Sequence, residues 1–406
     1  MKKDWKIKKL VDIGKIFNGN SINAKVKKEK YLNREEDGIP YIATKDVSYK
    51  SIIDYNNGIS IPFEEKSNFK IASENTILIC AEGGSAGRKI GFTNQDVCFG
   101  NKLFAFSANE KIESKYVYYY YFSNEFQKDF HSQMTGIIGG VSMNKFKNLQ
   151  IPIPPLTQQK QIVKILDQAF TAIELAKNNA QQNLLNAKQL FESYLQNVFV
   201  NGKLKVESGE WVEKSLGEIT NVTYGFTDKS TEEGDYRYVR ITDIDKNGEL
   251  IPTGKKYINS SKDGKDFILK ENDILMARTG ATFAKLLLYK DIEPSIYASY
   301  LIKIDFTEDI DNEFYWFFSK TNSYWEQANA LSTGAAQPHF NGKALKQVVF
   351  SYPKSLKEQK KLIKEFRKLQ AQTKKLESIY EQKIADLEEL KKSILQKAFS
   401  GELTQK

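Results

Sequence analysis

Leu156-Thr157-Gln158-Gln159-Lys160-Gln161-Ile162-Val163-Lys164-Ile165-Leu166 and Leu356-Lys357-Glu358-Gln359-Lys360-Lys361-Leu362-Ile363-Lys364-Glu365-Phe366 are two versions of one segment, roughly 200 residues apart. Each opens a run whose apolar positions alternate steps of four and three. In the first these are Ile162, Leu166, Ala169, Ile173, Ala176, Ala180, Leu184, Ala187, Phe191, Tyr194 and Val198. In the second they are Leu362, Phe366, Leu369, Thr373, Leu376, Tyr380, Ile384, Leu387, Lys391, Ile394 and Ala398, with Thr373 and Lys391 weakening the stripe. The spacing predicts two long helices, each burying one face along its length. Both runs take two successive steps of four at the same place, Ala176-Ala180-Leu184 and Leu376-Tyr380-Ile384, where a strict heptad is interrupted. A shared interruption marks copies with one packing task.

The duplication extends outward from the helices. Trp5-Lys6-Ile7-Lys8-Lys9-Leu10 answers Trp211-Val212-Glu213-Lys214-Ser215-Leu216, and Ile39 to Val47 answers Tyr236 to Ile244. Glu74-Asn75-Thr76-Ile77-Leu78 answers Glu271-Asn272-Asp273-Ile274-Leu275, and Ser193 to Phe199 answers Ser393 to Phe399. A period this long is a duplicated domain plus helix rather than a solenoid. The first copy alternates glycine-rich turns with strand-like runs such as Ile77-Leu78-Ile79-Cys80, then shows a helical pattern from Ser114 to Phe130. Prolines keep Ile151-Pro152-Ile153-Pro154-Pro155 out of a helix, so it reads as an extended strap leading out of the domain. The fold expected is α+β, with mixed α/β domains at 1–155 and 201–355, a central helix at 156–200 and a C-terminal helix with tail at 356–406. Pairing the helices antiparallel within the chain uses the internal pseudo-two-fold symmetry. A parallel homodimeric coiled coil is the alternative for the stripe alone.

The chain has 406 residues, enough for at least two cores at 40% hydrophobic content. No apolar run approaches the roughly 20 residues needed to span a bilayer, and Met-Lys-Lys-Asp-Trp lacks a signal-like apolar stretch, so a cytoplasmic location is expected. Cys80 and Cys98 lie in apolar surroundings without counterparts in the other copy and read as reduced core residues. Sixty basic against 51 acidic residues give a net charge of +9, which favours a polyanionic partner. A lysine-rich composition would produce the same excess.

The order of these segments, the strap and helix opening Ile151 to Lys160 with its degenerate copy Tyr352 to Lys360, and the closing Ser393 to Thr404 resemble the DNA specificity subunit of type I restriction-modification systems. The resemblance covers essentially the whole chain. It implies two target recognition domains, each reading one half of a split, asymmetric double-stranded DNA site, held apart by the paired helices. It further implies two modification subunits docked on the helices, methylating adenine with S-adenosylmethionine, and restriction subunits that translocate DNA using ATP. S-adenosylmethionine, ATP and magnesium would then belong to partners, with no cofactor in this chain. The copies depart from each other in Val198 to Leu204, one residue longer than Ala398 to Leu403, and in the reduction of Pro152, Pro154 and Pro155 to Pro353.

Catalytic motifs are missing. Gly83-Gly84-Ser85-Ala86-Gly87-Arg88 departs from a phosphate loop at its lysine and serine, and no Asn/Asp-Pro-Pro-aromatic signature occurs. Asp54 with Glu64-Glu65-Lys66 has a loose nuclease-like spacing that reads better as a solvated loop. His131 and His339 are the only imidazoles, and neither lies in a Cys/His cluster. A binding subunit rather than an enzyme is therefore expected. Rival readings are a self-contained restriction enzyme, a specificity subunit of a type II system cutting on both sides of a split site, and a coiled-coil structural adaptor.

Arginine reads guanine and asparagine or glutamine reads adenine, whereas lysine mostly positions phosphates. Arginine is scarce, with Arg34, Arg88, Arg237, Arg240, Arg278 and Arg367 the full set. Candidate DNA-binding residues are Lys45 and Arg240 in the matched strand regions, and Ser85, Arg88 and Lys89 with Arg278, Thr279 and Lys285 in the glycine-rich loops. A third loop pair adds Gln133, Asn144 and Lys145, and Gln337, Asn341 and Lys343. For each arginine a surface ion pair or phosphate clamp is the competing role, and for the third loops plain turns. The aromatic runs Tyr116 to Phe122 and Phe314 to Phe318 are expected to fill cores rather than stack on bases.

Overall fold

The structure, a computed structural model, describes residues 4–32, 38–201, 210–245, 247–259, 263–334 and 338–404. The chain forms two compact units, Met1–Asn179 with Lys383–Lys406, and Ala180–Gln382.

In the first unit an antiparallel sheet runs in the order Gly14–Asn18, Leu103–Ala108, Ile77–Cys80, Ile90–Phe92. Ile77, Ile79, Phe104 and Phe106 enter one apolar cluster, whereas Leu78, Cys80, Leu103 and Ala105 enter another. With both faces covered, these strands read as unbroken apolar runs instead of alternating ones. The second cluster joins this sheet to another, ordered Ser60–Pro62, Gly38–Ile42, Val97–Phe99, Ile71–Ala72, whose middle pair is parallel. Cys80 and Cys98 are buried and unbridged, and burial pushes the Cys98 thiol up to about 12.

The first face is covered by aromatic helices and by the long helices. The single helical pattern expected over Ser114 to Phe130 is two helices, Ser114–Tyr120 and Asn124–Ser132. Ser123 starts the second, its Oγ accepting from the Phe126 N–H at 3.2 Å. The strap is also more than a connector, because Gln150–Ile153 pairs antiparallel with Lys6–Lys9. The Pro152 carbonyl accepts from the Tyr116 hydroxyl at 2.7 Å. Its backbone polar groups therefore face away from the ladder, where a missing N–H breaks no bond.

The second unit repeats this plan. One sheet is ordered Thr220–Tyr224, Leu301–Phe306, Ile274–Ala277, Leu286–Leu288, and the other is Tyr257–Ile258, Tyr236–Val239, Ser295–Tyr297. Ile274 and Met276 face one cluster, Leu275 and Ala277 the other. The helix Asn312–Phe318 buries Phe314 through Phe318 in the core.

The long helices span Leu156–Asn201 and Leu356–Ser400. In the first unit Ile162 and Leu166, near the start of one, share a core with Leu395 and Phe399, near the end of the other. In the second, Leu195 and Phe199 share a core with Ile363 and Phe366. The helices are therefore antiparallel, and at its end the stripe widens to take in Leu195 and Phe199 beside Tyr194 and Val198. Thr373 is buried despite its hydroxyl, which donates to the Gln370 carbonyl at 3.1 Å. Lys391 spreads over the Phe170 ring with its ammonium 5.1 Å from the centroid. Among the described residues no helix is long and apolar enough to cross a membrane.

Candidate nucleic-acid interface

One backbone frame carries the candidate residues in both units. The loop Cys80 to Gly87 closes with the Gly87 N–H donating to the Cys80 carbonyl at 2.9 Å, and Ala277 to Ala284 closes with Ala284 donating to Ala277 at 2.7 Å. Gly83 and Gly280 share a left-handed φ of 78° and 75°, and Ala284 adopts φ 58° where Gly87 has 72°. A non-glycine residue held there costs on the order of 1 kcal/mol, so packing around Ala284 enforces the turn. A second loop docks on the first: the Val141 N–H donates to the Ala81 carbonyl at 2.9 Å, and the Phe340 N–H to the Arg278 carbonyl at 2.8 Å. A third element is a short 3-10 turn. The Asp46 carboxylate accepts from the Ala43 N–H at 2.8 Å, as Asp243 accepts from Arg240 at 2.9 Å. Burial raises the Asp46 pKa, and the Ala43 amide opposes that shift.

The frame carries the offset of the matched strand segments through the loops. Arg278 stands where the first unit has Ala81, and Arg88 stands where the second has Lys285. Arg240 matches Ala43, and Lys45 matches Thr242. The two loop arginines thus occupy different positions.

In the first unit Arg88 and Lys89 lie over the Tyr49 ring at 5.5 and 5.2 Å from its centroid, and Ser85 Oγ is 3.1 Å from the Tyr49 hydroxyl. Lys89 donates to the Thr44 carbonyl at 3.0 Å, joining the glycine-rich loop to the turn that bears Lys45. Tyr49, 60% exposed, is the hub of this basic cluster, and no sequence pattern singled it out. In the same unit Ala81, Glu82, Asn101, Lys102, Ile137 and Ile138 line a groove of about 620 Å³. Lys145 is tied to the Gln133 carbonyl at 3.1 Å, while Asn144 is exposed.

In the second unit the guanidinium of Arg278 lies between two rings, 5.5 Å from the Tyr224 centroid and 5.1 Å from that of Tyr300. Lys343 is exposed in the following short helix, and Asn341 is that helix's N-cap, accepting from the Ala344 N–H at 3.0 Å. Capping already uses one face of its amide. Thr279 is buried and bridged to His339, which removes it from the surface. Lys285 lines a cavity of about 510 Å³ with Lys188, Lys320, Trp325 and Lys374, alongside the long helices. Arg240 is engaged by its own turn, donating to Asp243 at 3.1 and 2.7 Å and to the Gly254 carbonyl at 3.2 Å. Gln337 and Arg34 lie outside the described residues. Among the described residues no group of three or more His, Cys, Asp or Glu side chains could hold a metal ion.

Residues 2–186 and 208–388 match the family model for the type I restriction modification DNA specificity domain. The chain is 24% identical to the type I restriction enzyme MjaVIII specificity subunit of Methanocaldococcus jannaschii, over 98% of this chain and 93% of that one. It is 25% identical to the type I restriction enzyme EcoKI specificity subunit of Escherichia coli, over 93% of this chain and 85% of that one. Two solved chains share the fold. One, from a study of complex assembly and conformational transition in a type I R-M system, has a TM-score of 0.76 at 15% identity and 99% coverage of both chains. The other, the HsdS subunit from Thermoanaerobacter tengcongensis, has a TM-score of 0.63 at 17% identity, covering 99% of this chain and 98% of that one.

Proposed function

The chain belongs to the type I restriction-modification DNA specificity family, and from that premise we propose that it reads a split, asymmetric double-stranded DNA site, one half with each unit. It is the sequence-specificity subunit of a type I system. One observation carries the split reading: a shared loop frame presents unlike side chains, Ala81 with Arg88 in one unit and Arg278 with Lys285 in the other. Like frames imply one docking mode, and unlike side chains imply two different sequences. Lys45, Arg88, Lys89 and Lys343 are suited to phosphate contacts, which would make binding fall steeply with salt.

Recognition is this chain's contribution, and catalysis belongs to its partners. The long helices dock two modification subunits that methylate adenine, and restriction subunits join that core. S-adenosylmethionine, ATP and magnesium are used by those partners, and the assembly acts in the cytoplasm. Two domains meeting the major groove from one side would set half-sites about 10 bp apart, centre to centre.

Selection from random duplexes by the chain assembled with its modification partners tests this reading. Two unlike blocks separated by an unread gap are expected. A single uninterrupted block, or no enrichment at all, would contradict it.

A further inference from the structure

Arg278 differs from the other described arginines. Arg237 pairs with Asp291, Arg240 with Asp243 and Arg367 with Glu313, and Arg88 donates to the Gly84 carbonyl. The Arg278 side chain has neither an ion pair nor a hydrogen bond among the described residues; its Nε is buried without a partner, as is that of Arg237. What sets Arg278 apart is its terminal Nη donors, which have no acceptor within the described chain and are therefore left for one arriving from outside. The guanidinium is nevertheless held in place by the flanking rings of Tyr224 and Tyr300. Tyr224 is itself anchored, its hydroxyl accepting from the Gly342 N–H at 3.0 Å. Both rings are 40% or more exposed, so the clamp opens on solvent.

A planar fork of donors fixed in orientation, with no internal acceptor, matches a planar edge carrying two acceptors. Guanine N7 and O6 form that edge in the major groove. Building on the DNA-reading function proposed above, we propose that Arg278, clamped by Tyr224 and Tyr300, reads one guanine in the half-site of the second unit. The first unit has Asn18, Ala81 and Lys102 at the matching places, with Lys102 paired to Glu82 at 3.0 Å. Its half-site therefore has no guanine read from this position.

The test compares motifs selected by the assembled complex carrying the wild-type chain, Arg278→Ala, Arg278→Lys or Tyr300→Ala. With Arg278→Ala, discrimination at one guanine should fall roughly 10- to 100-fold while the other half-site stays intact. The intact half reports that the variant is folded. Arg278→Lys keeps the charge but loses the fork, so the same position should relax, and Tyr300→Ala should relax it partially. A wild-type motif from Arg278→Lys would overturn the assignment. So would a uniform loss across all sequences with a shallower salt dependence, the mark of a phosphate clamp. A wild-type complex that selects no split motif would instead remove the underlying DNA reading, before any variant is compared.

Discussion

The Gln359 side-chain carbonyl accepts the Asp311 backbone N–H at 2.8 Å, and its amide donates to the carbonyls of Pro353 and Asp309 at 2.8 and 2.9 Å. Gln159 repeats the arrangement with the Glu113 N–H at 2.9 Å and the Pro154 carbonyl at 2.8 Å. Each glutamine sits in the first turn of a long helix and ties it to the preceding strand and to the start of the aromatic helix. Both are buried, so losing either amide leaves polar backbone unmatched. Gln359→Ala and Gln159→Ala should each cost about 1–3 kcal/mol, read as a lower urea midpoint.

The helix pair supplies a second expectation. Phe199 packs against Phe314, Phe318, Phe350 and Phe366, and is buried. Phe199→Ala should lower unfolding free energy by about 3–5 kcal/mol. Leu185→Ala, at a position 47% exposed on the same helix, should change it by less than about 0.5 kcal/mol. Equal effects would contradict the buried stripe seen here.

Arginines close in sequence to the candidate loops should separate by role. Arg240→Ala leaves the buried Asp243 carboxylate without its cation, so it should destabilise the turn by about 1–3 kcal/mol and leave the DNA motif unchanged. Arg88→Ala and Lys89→Ala should weaken binding to all sequences alike, each reducing the salt slope by about 1. Binding isotherms over a salt series, with unfolding curves beside them, distinguish the two behaviours.

Lys320 gives a pH dependence with a defined sign. Burial pushes its pKa from 10.5 down to about 8, with Glu249 and Asp245 opposing the shift and Lys374 and Lys285 adding to it. Its ammonium lies 3.7 Å from the Trp316 ring centroid and donates to the Asn247 carbonyl at 2.5 Å. Because the folded pKa is below the unfolded one, the unfolded chain holds more protons between those two values. Stability should therefore rise through that window and be flat below it. Unfolding free energies at about pH 7 and about pH 9.5 should differ for the wild type, and Lys320→Met should remove this contribution.

The long helices are legible in sequence because a helix that buries one face must repeat its apolar residues at three and four. The glycine-rich loops are legible because left-handed turns at Gly83, Gly87 and Gly280 select glycine. What side chains do on those loops is less legible, since it depends on neighbours brought from far along the chain. Tyr224 reaches Arg278 only through the pairing of Thr220–Tyr224 with Leu301–Phe306, and Tyr49 reaches Arg88 only across the fold. Spacing likewise does not show that Asn341 also caps a helix, nor that Lys285 lines a cavity beside the long helices.

Sequencing adenine methylation genome-wide in cells with and without this chain, its modification partners present in both, tests the central claim most directly. The expected result is one split motif, made of two unlike blocks around an unread gap, that disappears when the chain is removed. An unchanged methylation pattern, or loss of an uninterrupted motif instead, would contradict it.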